Sequence, residues 1–135
     1  MSESTRDVVR RYYETLAARD WAGFGTTLAD DVRYEMPQTR ERLHGRDAYV
    51  RWNREFPGDW RFEITRLIAD EQYAAGTMTF RVDGQAMLGI SFFELDASGL
   101  ISRITDVWPE PYEPPAGREH LIERAADLTG FIDEL

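Results

Sequence analysis

Few side chains in this sequence are equipped for chemistry, and Asp106 is the one whose surroundings favour it. It lies in the run from Gly99 to Trp108, where alternation puts it on one face with Ile104 and Trp108. A carboxylate between two large apolar neighbours is poorly solvated. Its pKa is therefore expected to rise, toward the range in which a carboxyl serves as a general acid or base. The same pattern also fits a structural acid that bonds a backbone amide or pairs with an arginine such as Arg103 or Arg33.

The remaining inventory is mostly exclusion. There is no cysteine, so disulfides, thiol nucleophiles and thiolate metal sites are ruled out. All 16 basic residues are arginine, which removes Schiff-base and pyridoxal chemistry and the lysine of a phosphate-binding loop. This exclusive use of arginine also fits a GC-rich bacterial coding bias. His44 and His120 are the only imidazoles, far apart and without helical ligand spacing, so neither a metal nor a cofactor is expected. His44, just before Gly45, reads as a loop residue. The net charge of −9, with no basic block, argues against nucleic acid and anionic lipid as partners. No apolar run is long enough for a membrane span or a signal peptide, which makes the cytoplasm the default location.

The chain has 135 residues, 42% of them hydrophobic and 13% aromatic, which suits one core. Ser4 and Asp7 form a capping box for a first helix over about 6–18, with Val8, Val9, Tyr12, Tyr13 and Leu16 as its apolar stripe. Asp20 caps a weaker second helix carrying Trp21, Phe24 and Leu28. Val32, Tyr34 and Met36 alternate as a short strand before Pro37, and a polar loop covers 38–42. A third helix over 46–56 has Tyr49, Trp52 and Phe56 on one face and stops at Pro57-Gly58. From Trp60 to Trp108 the sequence reads as a four-stranded antiparallel meander, with Asp83-Gly84 as a hairpin turn. A proline-rich strap then leads to a C-terminal helix whose stripe includes Leu121, Ile122, Ala125, Leu128, Ile132 and Leu135, with Gly130 as a break. Helices followed by a meander describe an α+β domain.

This order, with the signatures LADDVRYEMP, LHGRDAYVRW and GLISRITDVWPEPYEPP, resembles the nuclear-transport-factor-two-like superfamily over about residues 4–115. Within it the chain looks most like the SnoaL-like polyketide cyclases. The resemblance implies a curved antiparallel or mixed sheet wrapped as a cone around the N-terminal helices, an enclosed apolar pocket, and a homodimer through the sheet. It also implies a division into a cone domain over 1–116 and a helical tail over 117–135 that packs on the same domain or on a partner subunit.

Carried over residue by residue, the resemblance selects among chemistries. The base of ketosteroid isomerases, just before the strand-end proline, is replaced by Met36, and their oxyanion aspartate by Ser91, which leaves Tyr12 in register with their helix-one tyrosine. Limonene-type epoxide hydrolases use an Arg-x-Asp pair with a last-strand aspartate. Arg81-Val82-Asp83 mimics the pair, but Asp83-Gly84 is the expected hairpin tip, so the triplet reads as a decoy. Scytalone dehydratase-like sites need two pocket histidines, and neither His44 nor His120 is on the meander. SnoaL-like cyclases keep an acid/base aspartate on the final strand, and Asp106 falls in that register. The family's supporting histidine is absent, its place taken by Met87, Ser91 or Phe93.

The expected site therefore has Asp106 as general acid/base, with Tyr12 or Ser91 as hydrogen-bond donors. Leu16, Phe24, Tyr34, Met36, Trp52, Met87, Phe93, Ile104 and Trp108 surround a small hydrophobic or aromatic molecule. Gly89 and Ser91, small residues among large ones, either leave room for that ligand or mark close packing. The competing expectation is a non-catalytic ligand-binding protein of the same fold.

Overall fold

The computed structural model describes residues 3–132. Helix α1 (Thr5–Ala18) starts where Ser4 Oγ accepts from the Asp7 amide at 3.2 Å, and it ends on Arg19 in the left-handed region (φ 56°). The guanidinium of Arg19 lies 3.8 Å from the centre of the Trp60 ring and donates to the Trp60 carbonyl, which ties the end of α1 to the start of the meander. Helix α2 (Trp21–Gly25) is capped by Asp20, as expected, but spans only one turn and a half. Leu28 therefore opens strand β1 (Leu28–Met36), which is longer than the predicted strand from Val32. The predicted polar loop is a turn followed by a short strand β2 (Glu41–His44) that hairpins onto β1. Helix α3 (Arg46–Arg54) stops two residues before Phe56.

The meander follows the alternation closely: β3 (Arg61–Ala69), β4 (Tyr73–Val82), β5 (Gln85–Leu95) and β6 (Ile101–Val107). Asp83 and Gly84, with φ of 50° and 78°, make the two-residue β4–β5 turn. The sheet is larger than four strands, however. Its order is β2-β1-β6-β5-β4-β3, and β1 runs parallel to β6. The result is a six-stranded, curved, mixed sheet with α1, α2 and α3 on its concave side, where they bury their apolar faces against β1, β3 and one another.

The C-terminal segment departs from the expected helix. It forms a 3₁₀ turn (Glu119–Leu121), extended chain, and a short helix α4 (Thr129–Ile132). Leu121 and Ile122 are exposed, so their helical spacing has no surface to bury against, and an unsupported short helix is marginal in water. Ile132 is buried, and its carbonyl accepts from Thr79 Oγ1 at 3.4 Å on the convex face of β4. Leu135 lies outside the described residues.

Candidate functional site

Strand β6 lies between β1 and β5, so a side chain on its concave face has a neighbour on either hand. Asp106 uses both. Ser91, its partner in the β5–β6 register, donates from Oγ to Oδ1 at 2.6 Å. Tyr34 of β1 donates from Oη to Oδ2 at 2.7 Å. The acid is buried, and among the described residues no cation pairs with it. Arg103 instead reaches Glu35 at 3.4 Å, and Arg33 donates its Nε to His44 Nε2 at 3.2 Å. The arginine-paired reading of Asp106 therefore falls. Burial pushes its pKa up and the bonds from Ser91 and Tyr34 push it down, with the balance upward.

Four tyrosines surround this carboxyl. The hydroxyls of Tyr12 and Tyr49 meet at 2.5 Å, and the Tyr34 ring stacks on Tyr49 with centroids 4.8 Å apart. Burial raises the pKa of Tyr12, Tyr13, Tyr34 and Tyr49, and the charge of Asp106 raises each further. All four stay neutral at physiological pH. In the Tyr12–Tyr49 pair one hydroxyl donates to the other, which leaves the second hydrogen free to turn toward a ligand oxygen.

Asp106 and the Tyr12–Tyr49 pair line a cavity of ≈ 490 Å³, within the range that holds a small organic molecule. Tyr12, Tyr49, Asn53, Ser91 and Asp106 are its buried polar lining, and Trp52, Trp60, Phe80 and Trp108 supply aromatic walls. Thr39, Glu41, Glu55, Phe56 and Pro57 are exposed and form the mouth. Of the predicted residues, Tyr12, Leu16, Met36, Trp52, Met87, Ser91, Asp106 and Trp108 line the cavity together.

Phe24, Tyr34, Phe93 and Ile104 do not line it. Tyr12 stands against Phe24 and Phe93, with centroids 4.9 and 5.0 Å away, and so covers both. Ile104 and Tyr34 are register partners at the β1–β6 contact and are fully buried there. The part Tyr34 plays is to hold Asp106. Ser91 also changes role: its proton is committed to Asp106 and is not offered to a ligand.

The small residues on the concave face are cradles for rings and leave no void. A Cβ on Gly89 would come 2.8 Å from the Trp108 ring, and one on Gly76 would meet the Tyr13 hydroxyl and lie 2.9 Å from its ring carbons. Tyr49 and Asn53 were missed from the sequence. Tyr49 shares its helical face with Trp52, which was the available signal.

Arg81 and Asp83 sit at the hairpin end, outside the cavity lining, and neither His44 at the end of β2 nor His120 in the C-terminal 3₁₀ turn lines the cavity. Among the described residues no three His, Asp or Glu side chains are grouped to share a metal ion, and no helix is long and apolar enough to cross a membrane.

Residues 9–104 match the SnoaL-like domain family, a span that ends two residues before Asp106. Among curated proteins no sequence match was found. A structure from Kribbella flavida, described as a candidate ketosteroid isomerase, is 50% identical, with 91% of this chain and 90% of that one covered and a TM-score of 0.86. An epoxide hydrolase of the LEH-like type from M. tuberculosis is 22% identical, covering 78% of this chain and 82% of that one, with a TM-score of 0.64. A candidate SnoaL-like polyketide cyclase from Shewanella denitrificans is 11% identical, covering 78% and 90%, with a TM-score of 0.69. The last two speak for the fold alone.

Proposed function

The chain belongs to the SnoaL-like domain family, and from that premise we propose that it binds a small hydrophobic or aromatic, polyketide-like molecule and moves a proton on it with Asp106, without a cofactor. The observation that carries this reading is a buried carboxyl on the cavity lining held, among the described residues, only by the neutral hydroxyls of Ser91 and Tyr34. Neutral donors orient the acid and soften its desolvation, but they do not pin it in the ionised form as an arginine would.

The chemistry is proton bookkeeping at one group. Ionised Asp106 removes a proton from a carbon next to a carbonyl, and the resulting enolate oxygen takes a hydrogen bond from the Tyr12–Tyr49 pair. In a cyclisation the enolate carbon attacks a second carbonyl and Asp106 returns the proton to the new alkoxide. In an isomerisation the proton goes back to a different carbon. The 50% identical Kribbella protein makes isomerisation pertinent, yet Met36 occupies the place where ketosteroid isomerases keep their base, so Asp106 must both take and return the proton.

Non-catalytic binding is the second reading. It is favoured by the fact that both carboxylate oxygens already accept a hydrogen bond. Two measurements separate the readings. Carboxyl-detected NMR, with Asp106→Asn for assignment, is expected to place the Asp106 pKa above the ordinary value of about 3.9. Exchange of the α-protons of 2-tetralone into deuterated water is expected to depend on Asp106. An ordinary or depressed pKa, or equal exchange in the variant, would leave only the binding protein.

A second copy of the chain is the partner we assign to the convex face of the sheet. There Phe92, Ile68 and Tyr73 are half or more exposed, as a homodimer through the sheet requires.

A further inference from the structure

The cavity described above is acidic, and acidic at one end in particular. Its lining contains the carboxyls of Asp106, Glu41 and Glu55, and among the described residues no arginine or histidine, although the chain has 16 arginines. Asp106 lies at the buried end, whereas Glu41 and Glu55 are exposed at the mouth. Glu55 is shared with Arg51, whose Nε lies 3.2 Å from Oε2, but among the described residues no ion pair holds Glu41. Aromatic rings fill the space between the two ends. Phe56 is at the mouth with Trp52 beside it, and rings of this kind attract cations through their faces.

An anionic group entering this mouth would face two carboxylates, only one of them shared with an arginine, and an ammonium group would meet opposite charge and ring faces. We propose that the cavity selects its ligand by charge: an apolar or aromatic body reaching inward to Asp106, carrying an amine that stays at the mouth beside Glu41. The inference rests on the reading of this cavity as the ligand site. It names the substrate class as amine-bearing, and it sets aside carboxylates, phosphates and substrates tethered to a phosphorylated carrier.

The test uses three probes with one apolar body: 2-(2-naphthyl)ethylamine, 2-(2-naphthyl)ethanol and 2-naphthylacetate. Each is titrated calorimetrically against the whole protein at pH 7.5, in low salt and in 0.5 M salt. The amine is expected to bind roughly tenfold or more tightly than the acid at low salt, with the alcohol between them and the gap narrowing as salt screens the mouth. Glu41→Gln is expected to lower amine affinity severalfold and to shrink the amine-to-acid ratio, and Glu55→Gln to do so less, because Arg51 already shares that carboxylate. Naphthylacetate binding as well as the amine overturns the proposal, and so does a ratio that persists unchanged in the Glu41→Gln, Glu55→Gln double variant, since the preference would then belong to the chain's overall charge. Failure of all three probes to bind overturns the ligand-site reading itself, and the charge selection with it.

Discussion

Ser91 and Phe92 are neighbours on β5, and each has the burial expected of the other. The serine is 2% exposed and the phenylalanine 50%. The inversion comes from strand geometry, since successive side chains point to opposite faces and the two faces of this sheet serve different ends. Over the concave face Ser91 of β5 and Tyr34 of β1 donate to Asp106 of β6 and Tyr12 meets Tyr49, while the buried Tyr13 hydroxyl and Trp108 Nε1 have no hydrogen-bond partner among the described residues. On the convex face of the same strands Phe92 and Tyr73 stand in solvent, and only the neighbourhood of Thr79 and Leu88 is covered, by α4. Burial thus tracks which face α1, α2 and α3 cover, and residue type alone would have predicted the opposite for this pair.

The contrast breaks most sharply at Gly76 on the concave face. Gly76→Ala must push Tyr13 out of its cradle, and a stability loss of about 3 kcal/mol is expected by denaturant unfolding. A loss as small as that of a convex-face substitution would mean that the concave face is loosely filled.

Next in size is the acid. The folded pKa of Asp106 lies above its unfolded value, so the folded state holds the proton more tightly. Its ionised form therefore imposes no cost below about pH 3.9 and an increasing one as pH rises through the folded value. Asp106→Asn removes that cost. The variant is expected to gain on the wild type as pH is raised, seen as a Tm difference that moves in the variant's favour between about pH 4 and neutrality, whatever offset follows from its amide accepting from only one of Ser91 and Tyr34. A variant that loses stability with rising pH would show an acid that prefers its charge.

The smallest effect on the fold, and the sharpest on the other face, is expected from Phe92→Glu. The far-UV spectrum should stay the same and intrinsic stability should move by under about 0.5 kcal/mol. Sedimentation velocity, by contrast, should shift from a two-copy to a one-copy species. A dimer that survives this change does not use the convex face.

How much of this was legible follows from the range over which residues interact. The bounds of β4 and β5 could be read directly, because alternation and the Asp83-Gly84 turn are local. Asp106 was legible for the same reason, lying between Ile104 and Trp108 on one face. The parallel docking of β1 on β6 was not, because nothing near Tyr34 announces a partner 72 residues away. Missing that contact misplaced Tyr34 as a wall of the cavity, whereas Ser91 was left as a free donor although the neighbouring β5–β6 register places it opposite Asp106. The C-terminal stripe misled in another way: helical spacing is a request for a surface, and Leu121 and Ile122 found none.

The placement of Asp106 on a strand with a near neighbour on one side and a distant one on the other also sets an order of events in time. The β5–β6 pairing closes a short connection, whereas β1 must return across most of the chain, and closure entropy favours the shorter loop first. Ser91 therefore meets the carboxyl early and Tyr34 late. The contact that completes the surroundings of the acid is thus the one with the larger closure cost.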